Sequence, residues 1–171
     1  VDFHADDAPK AFATSLKNTG FALIENSPLD QAVIDEAYRA WGDYFHSNAK
    51  FEFPYSDDTR DGYISTERSE TAKGEKAKDL KEFYHYYQWG RCPQELKALT
   101  EKLYSQMNAF AETLLSWVEQ EMPEDLRKAL SEPLSQMVKE SPMTLLRFIH
   151  YPPLSGNEDP SAVRAAAHED I

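Results

Sequence analysis

Apolar residues fall into helical stripes over the first three quarters of this chain and into extended runs only near its end. Val1-Asp2-Phe3 reads as the end of a short strand. Asp6 or Asp7 is placed to cap a helix with Pro9 near its first turn. Phe12 and Leu16 share one face of that helix, and Gly20 stops it. Phe21-Ala22-Leu23-Ile24 reads as a short apolar strand, and Asn26-Ser27-Pro28 as a turn. A second helix is expected from about Asp30. Ile34, Tyr38, Trp41 and Phe45, at steps of four, three and four, form its stripe.

The stretch from Ala49 to Glu82 is polar, yet Phe51, Phe53, Tyr55, Tyr63 and Ile64 anchor it. It reads as a long loop with one or two short strands. The aromatic run Phe83 to Tyr87 is strand-like. Pro93 opens the longest helix, to about Gln120, with Leu96, Leu99, Leu103, Met107, Phe110, Leu114 and Trp117 at helical spacing as core. A shorter helix follows Pro123, with Glu124 and Asp125 well placed near its N-terminus. Met143 to Tyr151 reads as a strand ended by Pro152-Pro153, and Ser155 to Ser161 as a loop. Ala162 to Ile171 reads as the next strand.

These elements make an α+β chain, helix-rich over 1–140 and sheet-building over 141–171. No repeat, low-complexity tract or linker divides it, so 1–171 is expected to be a single domain. A sheet that begins just before the chain stops is expected to be incomplete at the C-terminus, because strands need partners.

Composition narrows the partners. Eighteen Lys and Arg against 30 Asp and Glu give a formal net charge of −12. That disfavours nucleic acid and anionic membrane, both of which need a basic surface. The single cysteine, Cys92, rules out an internal disulfide and a Cys-rich zinc site. No run approaches the roughly 18 apolar residues of a membrane span. No secretory signal pattern opens the chain, so a cytoplasmic protein is the expectation. Aromatic content of 12% fits a packed core and an aromatic-lined pocket for a small molecule. Oligomeric state is left open.

The candidate chemistry lies in His168-Glu169-Asp170. On a strand, residues two apart share a face, so His168 and Asp170 can point together. A neutral imidazole and a carboxylate are two of the three ligands of the 2-His-1-carboxylate Fe(II) site. The spacing alone is weak, since His4-Ala5-Asp6 matches it ahead of a helix. Context strengthens His168, which follows the small residues Ala165-Ala166-Ala167 on an expected strand. His46, His85 and His150 read as structural.

Motifs in order add a resemblance. Gly20-Phe21-Ala22-Leu23-Ile24-Glu25-Asn26, Gly62-Tyr63, Asp79-Leu80-Lys81-Glu82-Phe83, Leu146-Arg147-Phe148-Ile149-His150-Tyr151-Pro152-Pro153 and His168-Glu169-Asp170 follow one another as in a known family. With Phe45 and Lys50 near a helix end, the chain resembles the N-terminal part of the isopenicillin N synthase-like Fe(II)/2-oxoglutarate-dependent oxygenases. It departs from that pattern at Asn26-Ser27-Pro28, where the family carries Asn-His-Gly.

The resemblance implies a fold in which N-terminal helices flank the first strands of a double-stranded β-helix, or jelly-roll. It implies that His168 and Asp170 are iron ligands and that Tyr151 meets the carboxylate of 2-oxoglutarate, with O2 as the other co-substrate. No further catalytic residue is expected beyond the metal ligands. The implied activity is hydroxylation, desaturation or ring closure on a small organic substrate. The third ligand, a later His, and an Arg-x-Ser for the co-substrate are expected beyond Ile171. The alternatives are an isopenicillin N synthase-type oxidase that needs no 2-oxoglutarate, and a non-catalytic binding module whose last strand a partner completes.

Overall fold

The computed structural model describes residues 1–69, 79–139 and 141–166. Its helices are α1 (Ala8–Thr19), α2 (Gln31–His46), α3 (Gln94–Glu121), α4 (Glu124–Ala129) and α5 (Leu134–Lys139). Its strands are β1 (Gly62–Ile64), β2 (Glu82–Tyr86) and β3 (Leu146–His150), with 3-10 turns over Asn48–Glu52 and Thr66–Arg68. Contacts divide the chain into two compact units, Val1–Glu36 with Leu99–Thr144, and Ala37–Ala98 with Leu145–Ile171. Among the described residues no helix is long and apolar enough to cross a membrane.

In the first unit, α1 starts with Pro9 in its first turn and ends where Gly20 takes a left-handed φ of 76°. The Gly20 amide then donates to Leu16 O at 2.8 Å, a closure that a side chain at this φ would strain. Phe3 packs 5.0 Å from Trp117 and 5.7 Å from Phe110, and Phe12 lies 5.9 Å from Trp117, so the chain start and α1 share one aromatic core with α3. Helix α5 was not expected; the Glu119 carboxylate accepts its first amide, from Leu134, at 2.8 Å.

Phe21 to Ile24 does not form the expected strand. Its neighbourhood is held by the parallel bridge between Asp2 and Glu25 and by the Val1 ammonium, which donates to Leu23 O at 2.7 Å. Phe21 and Leu23 stand 80% and 87% exposed. An apolar run becomes a strand only when a ladder partner takes its amides, and one bridge does not supply a ladder.

In the second unit the three strands pair antiparallel in the order β1-β2-β3. Tyr63 faces Tyr84 across β1 and β2, and Glu82 faces His150 and Tyr84 faces Phe148 across β2 and β3. Alternation along β2 therefore sorts the sheet into two faces. Glu82, Tyr84 and Tyr86 share one face, while Phe83 and His85 share the other. The first face packs on α2, with Trp41 stacked on Phe148 at 4.0 Å between ring centroids and 4.9 Å from Tyr84.

Of the stripe expected on α2, Trp41 and Phe45 are buried and Ile34 is half-buried, but Tyr38 is not part of the core. Val33, Ala37, Trp41, Tyr44 and Phe45 are buried, whereas Tyr38 is 80% exposed. Ala37 outcompetes Tyr38 for the inner face because a methyl group lets the helix backbone approach its neighbours. On α3, Leu96 and Leu103 are buried as the spacing requires, but Thr100 and Tyr104 are buried beside them and Met107 is exposed. Within Ala162 to Ala166 no strand forms, and the rest of that expected strand lies outside the described residues.

Candidate active site

The predicted metal ligands, His168 and Asp170, lie outside the described residues. Among the described residues no group of three or more His, Cys, Asp or Glu is arranged to hold a metal ion. The site is therefore built from what leads into that motif. Ala166, two positions before His168, is buried, and its amide donates to Asp79 Oδ1 at 3.1 Å. Three residues earlier, Val163 O accepts the amide of Leu80 at 2.8 Å. Asp79 is itself fixed: its Oδ2 accepts from Lys81 Nζ at 3.0 Å, and its carbonyl accepts from Ser69 Oγ at 2.8 Å. The Asp79-Leu80-Lys81 segment thus clamps the approach to the His-x-Asp motif, a role the sequence reading did not assign to it.

Tyr151 follows β3 directly. His150 pairs with Glu82 in the ladder, so Tyr151 sits level with the same Asp79–Lys81 segment at the start of β2. Continuing the alternation of β3 puts Tyr151 on the face of Arg147 and Ile149, opposite Phe148 and His150. The Arg164 guanidinium carbon lies 6.0 Å from the Tyr151 ring centroid. A cation at this distance favours the electron-rich ring face.

Beneath the other face lies a buried charge cluster centred on Glu82. Lys50 Nζ donates to both of its oxygens, at 3.2 and 3.0 Å, and the Tyr63 hydroxyl donates to Oε2. His150 Nδ1 lies 2.7 Å from Oε1. An ionised carboxylate only accepts, so the shared proton sits on Nδ1. Burial pushes the Glu82 carboxyl up, but hydrogen bonds from Tyr63, His150 and Lys50 outweigh it and hold the group below the usual range. Burial first, and then Glu82 itself, push the Tyr63 phenol up. His150 also stacks on Phe45 at 5.4 Å. Glu82 and His150 thus tie β2 to β3 and to Lys50 and Tyr63.

A second cluster shapes the entry to β1. Asp61 is fully buried and accepts from Thr59 Oγ1 at 2.6 Å and from Arg91 Nε and Nη2 at 3.0 and 2.8 Å. Burial raises its carboxyl, yet the Arg91 and Thr59 hydrogen bonds prevail and hold it low. Arg91 also donates to Pro54 O at 2.8 Å, so one guanidinium ties together the loop that leads into the strand.

The face of the sheet that carries Phe83 and His85 bears a cavity of about 200 Å³ lined by Tyr55, Ile64, Arg68, Phe83 and His85. Arg147 lies with its guanidinium 4.8 Å from the Phe83 ring centroid at this face. Tyr151 and the cavity are thus on the same side of the sheet.

No protein-family model and no curated protein sequence matches the chain. Solved structures do. A candidate oxygenase from Shewanella oneidensis is 40% identical with a TM-score of 0.86, over 100% of this chain and 61% of its own. A candidate 2OG-Fe(II) oxygenase family protein from Caulobacter crescentus is 26% identical with a TM-score of 0.68, over 100% of this chain and 60% of its own. A full-length Neurospora crassa protein in complex with alpha-KG is 18% identical with a TM-score of 0.74, over 99% of this chain and 60% of its own; that likeness shows the fold alone. The chain spans about three fifths of the length of each of these proteins. Two of these neighbours are thus described as candidate oxygenases, one of them of the 2OG-Fe(II) family.

Proposed function

We propose that this chain is part of a non-haem Fe(II)- and 2-oxoglutarate-dependent oxygenase of the isopenicillin N synthase-like type, acting with O2 on a small organic substrate. In this reading residues 1–171 are one domain that opens a double-stranded β-helix. His168 and Asp170 are two iron ligands, and Tyr151 meets the co-substrate carboxylate. The observation that carries the proposal is the double anchoring at the start of β2. Ala166, on the approach to the His-x-Asp motif, bonds to Asp79, and Tyr151 follows the residue paired with Glu82. Ala166, which precedes one motif, and Tyr151, which belongs to the other, are thus both tied to the start of β2. The 40% identical neighbour, a candidate oxygenase, supports the oxygenase part of this reading.

The donor types suit the metal: neutral imidazole and carboxylate match Fe(II). When bound there, iron with 2-oxoglutarate supplies O2 activation and oxidation of a substrate C–H bond. The chain's own residues orient and exclude. The Tyr151 hydroxyl donates to a carboxylate, and Asp79 holds the backbone two positions before His168. Phe83 and Ile64 keep water from one side of the cavity. The test is metal binding by calorimetry on the full-length protein. His168→Ala and Asp170→Ala are each expected to lose Fe(II) affinity while the far-UV spectrum stays helical. Unchanged affinity in either variant refutes the assignment.

A further inference from the structure

We infer that Asp79 is a positioning residue for the iron ligands: its carboxylate fixes the backbone that leads into His168 and thereby sets the affinity for the metal. The ligands rest on the oxygenase reading above; the bracket around them rests on hydrogen bonds between described residues. Two adjacent residues grip the segment that runs into the motif. Ala166 N donates to Asp79 Oδ1 at 3.1 Å, and Leu80 N donates to Val163 O at 2.8 Å. A single bond would let the segment pivot. Two bonds three residues apart fix its direction as well as its place. Residues 162–166 form no strand, so this bracket stands where a ladder would otherwise give direction. His168 follows Ala166 by two residues, a reach of at most about 7 Å. A displacement at Ala166 therefore passes to His168 with little slack.

The carboxylate is itself held in place. The Lys81 and Asp79 side chains are 12% and 8% exposed, and Lys81 Nζ lies 3.0 Å from Asp79 Oδ2. The Asp79 carbonyl accepts from Ser69 Oγ at 2.8 Å, which anchors its main chain as well. A buried ion pair adds little net stability, since well-packed apolar residues in its place are often as good or better. What the pair does supply is a charged acceptor at a fixed position. Hydrogen bonds to a charged group are shorter than neutral ones and about twice as strong. Here that acceptor meets, across 87 positions of sequence, one backbone amide two residues before an expected ligand. Metal sites depend on such support. Losing a partner that orients a ligand typically weakens metal binding by about 10–100-fold.

The test compares two double variants of the full-length protein, Asp79→Asn/Lys81→Met and Asp79→Ala/Lys81→Met. Neither leaves one member of the buried pair charged and alone, so both are expected to fold. They differ in whether an acceptor remains for Ala166. Anaerobic calorimetry with Fe(II) is expected to show binding about tenfold or more weaker in the alanine pair than in the asparagine pair. Equal affinities overturn the inference, as does weaker binding in the asparagine pair. Wild type supplies a second measurement that needs no variant. Coupling is reciprocal: a bracket that strengthens metal binding is strengthened by the metal through the same factor. Hydrogen exchange at the Ala166 and Leu80 amides is therefore expected to slow about tenfold with saturating Fe(II), and unchanged exchange at both overturns the inference. The oxygenase reading fails by a different sign. Unchanged Fe(II) affinity in His168→Ala sinks that reading and the inference together. Lost affinity in His168→Ala, with equal affinities in the two double variants, sinks the inference alone.

Discussion

Glu82→Ala is the perturbation whose cost the geometry determines most directly. It removes the acceptor of three donors at once: Lys50 Nζ at 3.2 and 3.0 Å, the Tyr63 hydroxyl, and His150 Nδ1 at 2.7 Å. The Glu82 and Lys50 side chains are only 6% and 17% exposed, so water replaces little of what is lost. Breaking one side of a buried ion pair costs about 3–5 kcal/mol. Lys50 retains some solvent, which places the expected loss near the lower end, at about 3 kcal/mol. Glu82→Gln keeps the shape and one acceptor, and should cost about 1–2 kcal/mol. Urea denaturation followed by tryptophan fluorescence measures both, since Trp41 lies within the same unit, stacked on Phe148. A loss below about 1 kcal/mol for the alanine variant refutes the cluster's role. So does a glutamine variant as costly as alanine. The sign of the pH dependence follows from the lowered Glu82 carboxyl. A depressed acid contributes stability that is present above its unfolded value of about 4.3 and is lost as pH falls through its lower folded value. The gap between wild type and Glu82→Gln should therefore be full at neutral pH and shrink below about pH 4. A gap that widens with acid refutes the assignment.

Three further outcomes are expected. Gly62 has φ +104°, and an added Cβ would meet Phe53 O at 2.7 Å and Pro54 O at 2.8 Å, both backbone atoms. Gly62→Ala should therefore lower the urea midpoint by the equivalent of about 2 kcal/mol or more, and an unchanged midpoint contradicts the close approach. Trp41→Ala should cost about 3–5 kcal/mol while Tyr38→Ala stays within about 0.5 kcal/mol, and similar losses for both would refute the inner face of α2 described above. Tyr151→Phe should weaken 2-oxoglutarate binding by about 1–3 kcal/mol in calorimetry, and unchanged affinity removes Tyr151 from the co-substrate site.

Long periodic signals were legible in the sequence. Pro93 and the leucine spacing locate α3 to within a residue at each end, because 28 residues of one period outweigh local noise. Gly20 marks the end of α1, and the aromatic and branched runs mark β2 and β3. Membership of the stripe was harder. Helical spacing put the larger Tyr38 in the stripe, but packing on α2 selects the small Ala37. The Phe21 to Ile24 run failed for a different reason: strand formation depends on a partner that no local pattern displays. In the candidate site, the sequence offered the His-x-Asp and Tyr-Pro-Pro motifs as starting points. Sequence could not show that Asp79 bonds to Ala166 across 87 positions, or that Lys50, Tyr63 and His150 converge on Glu82 from 32, 19 and 68 positions away. Those are facts of long-range closure, and spacing along a chain carries no record of them.

The strand order has a consequence in time. The Tyr63–Glu82 contact joining β1 and β2 closes a separation of 19 residues, whereas the His150–Glu82 contact joining β2 and β3 closes one of 68. The longer closure costs about 1 kcal/mol more in chain entropy before any contact rewards it. The β1–β2 pair is therefore favoured to form first, and β3 adds to an existing edge. During synthesis the wait is absolute: β2 leaves the ribosome with its amides on one side unclaimed until Leu146–His150 follows. For that interval Glu82 has Lys50 and Tyr63 but no imidazole. The chain is then most open to pairing with a wrong strand, and a helix-rich stretch of some 60 residues must be made before the danger ends.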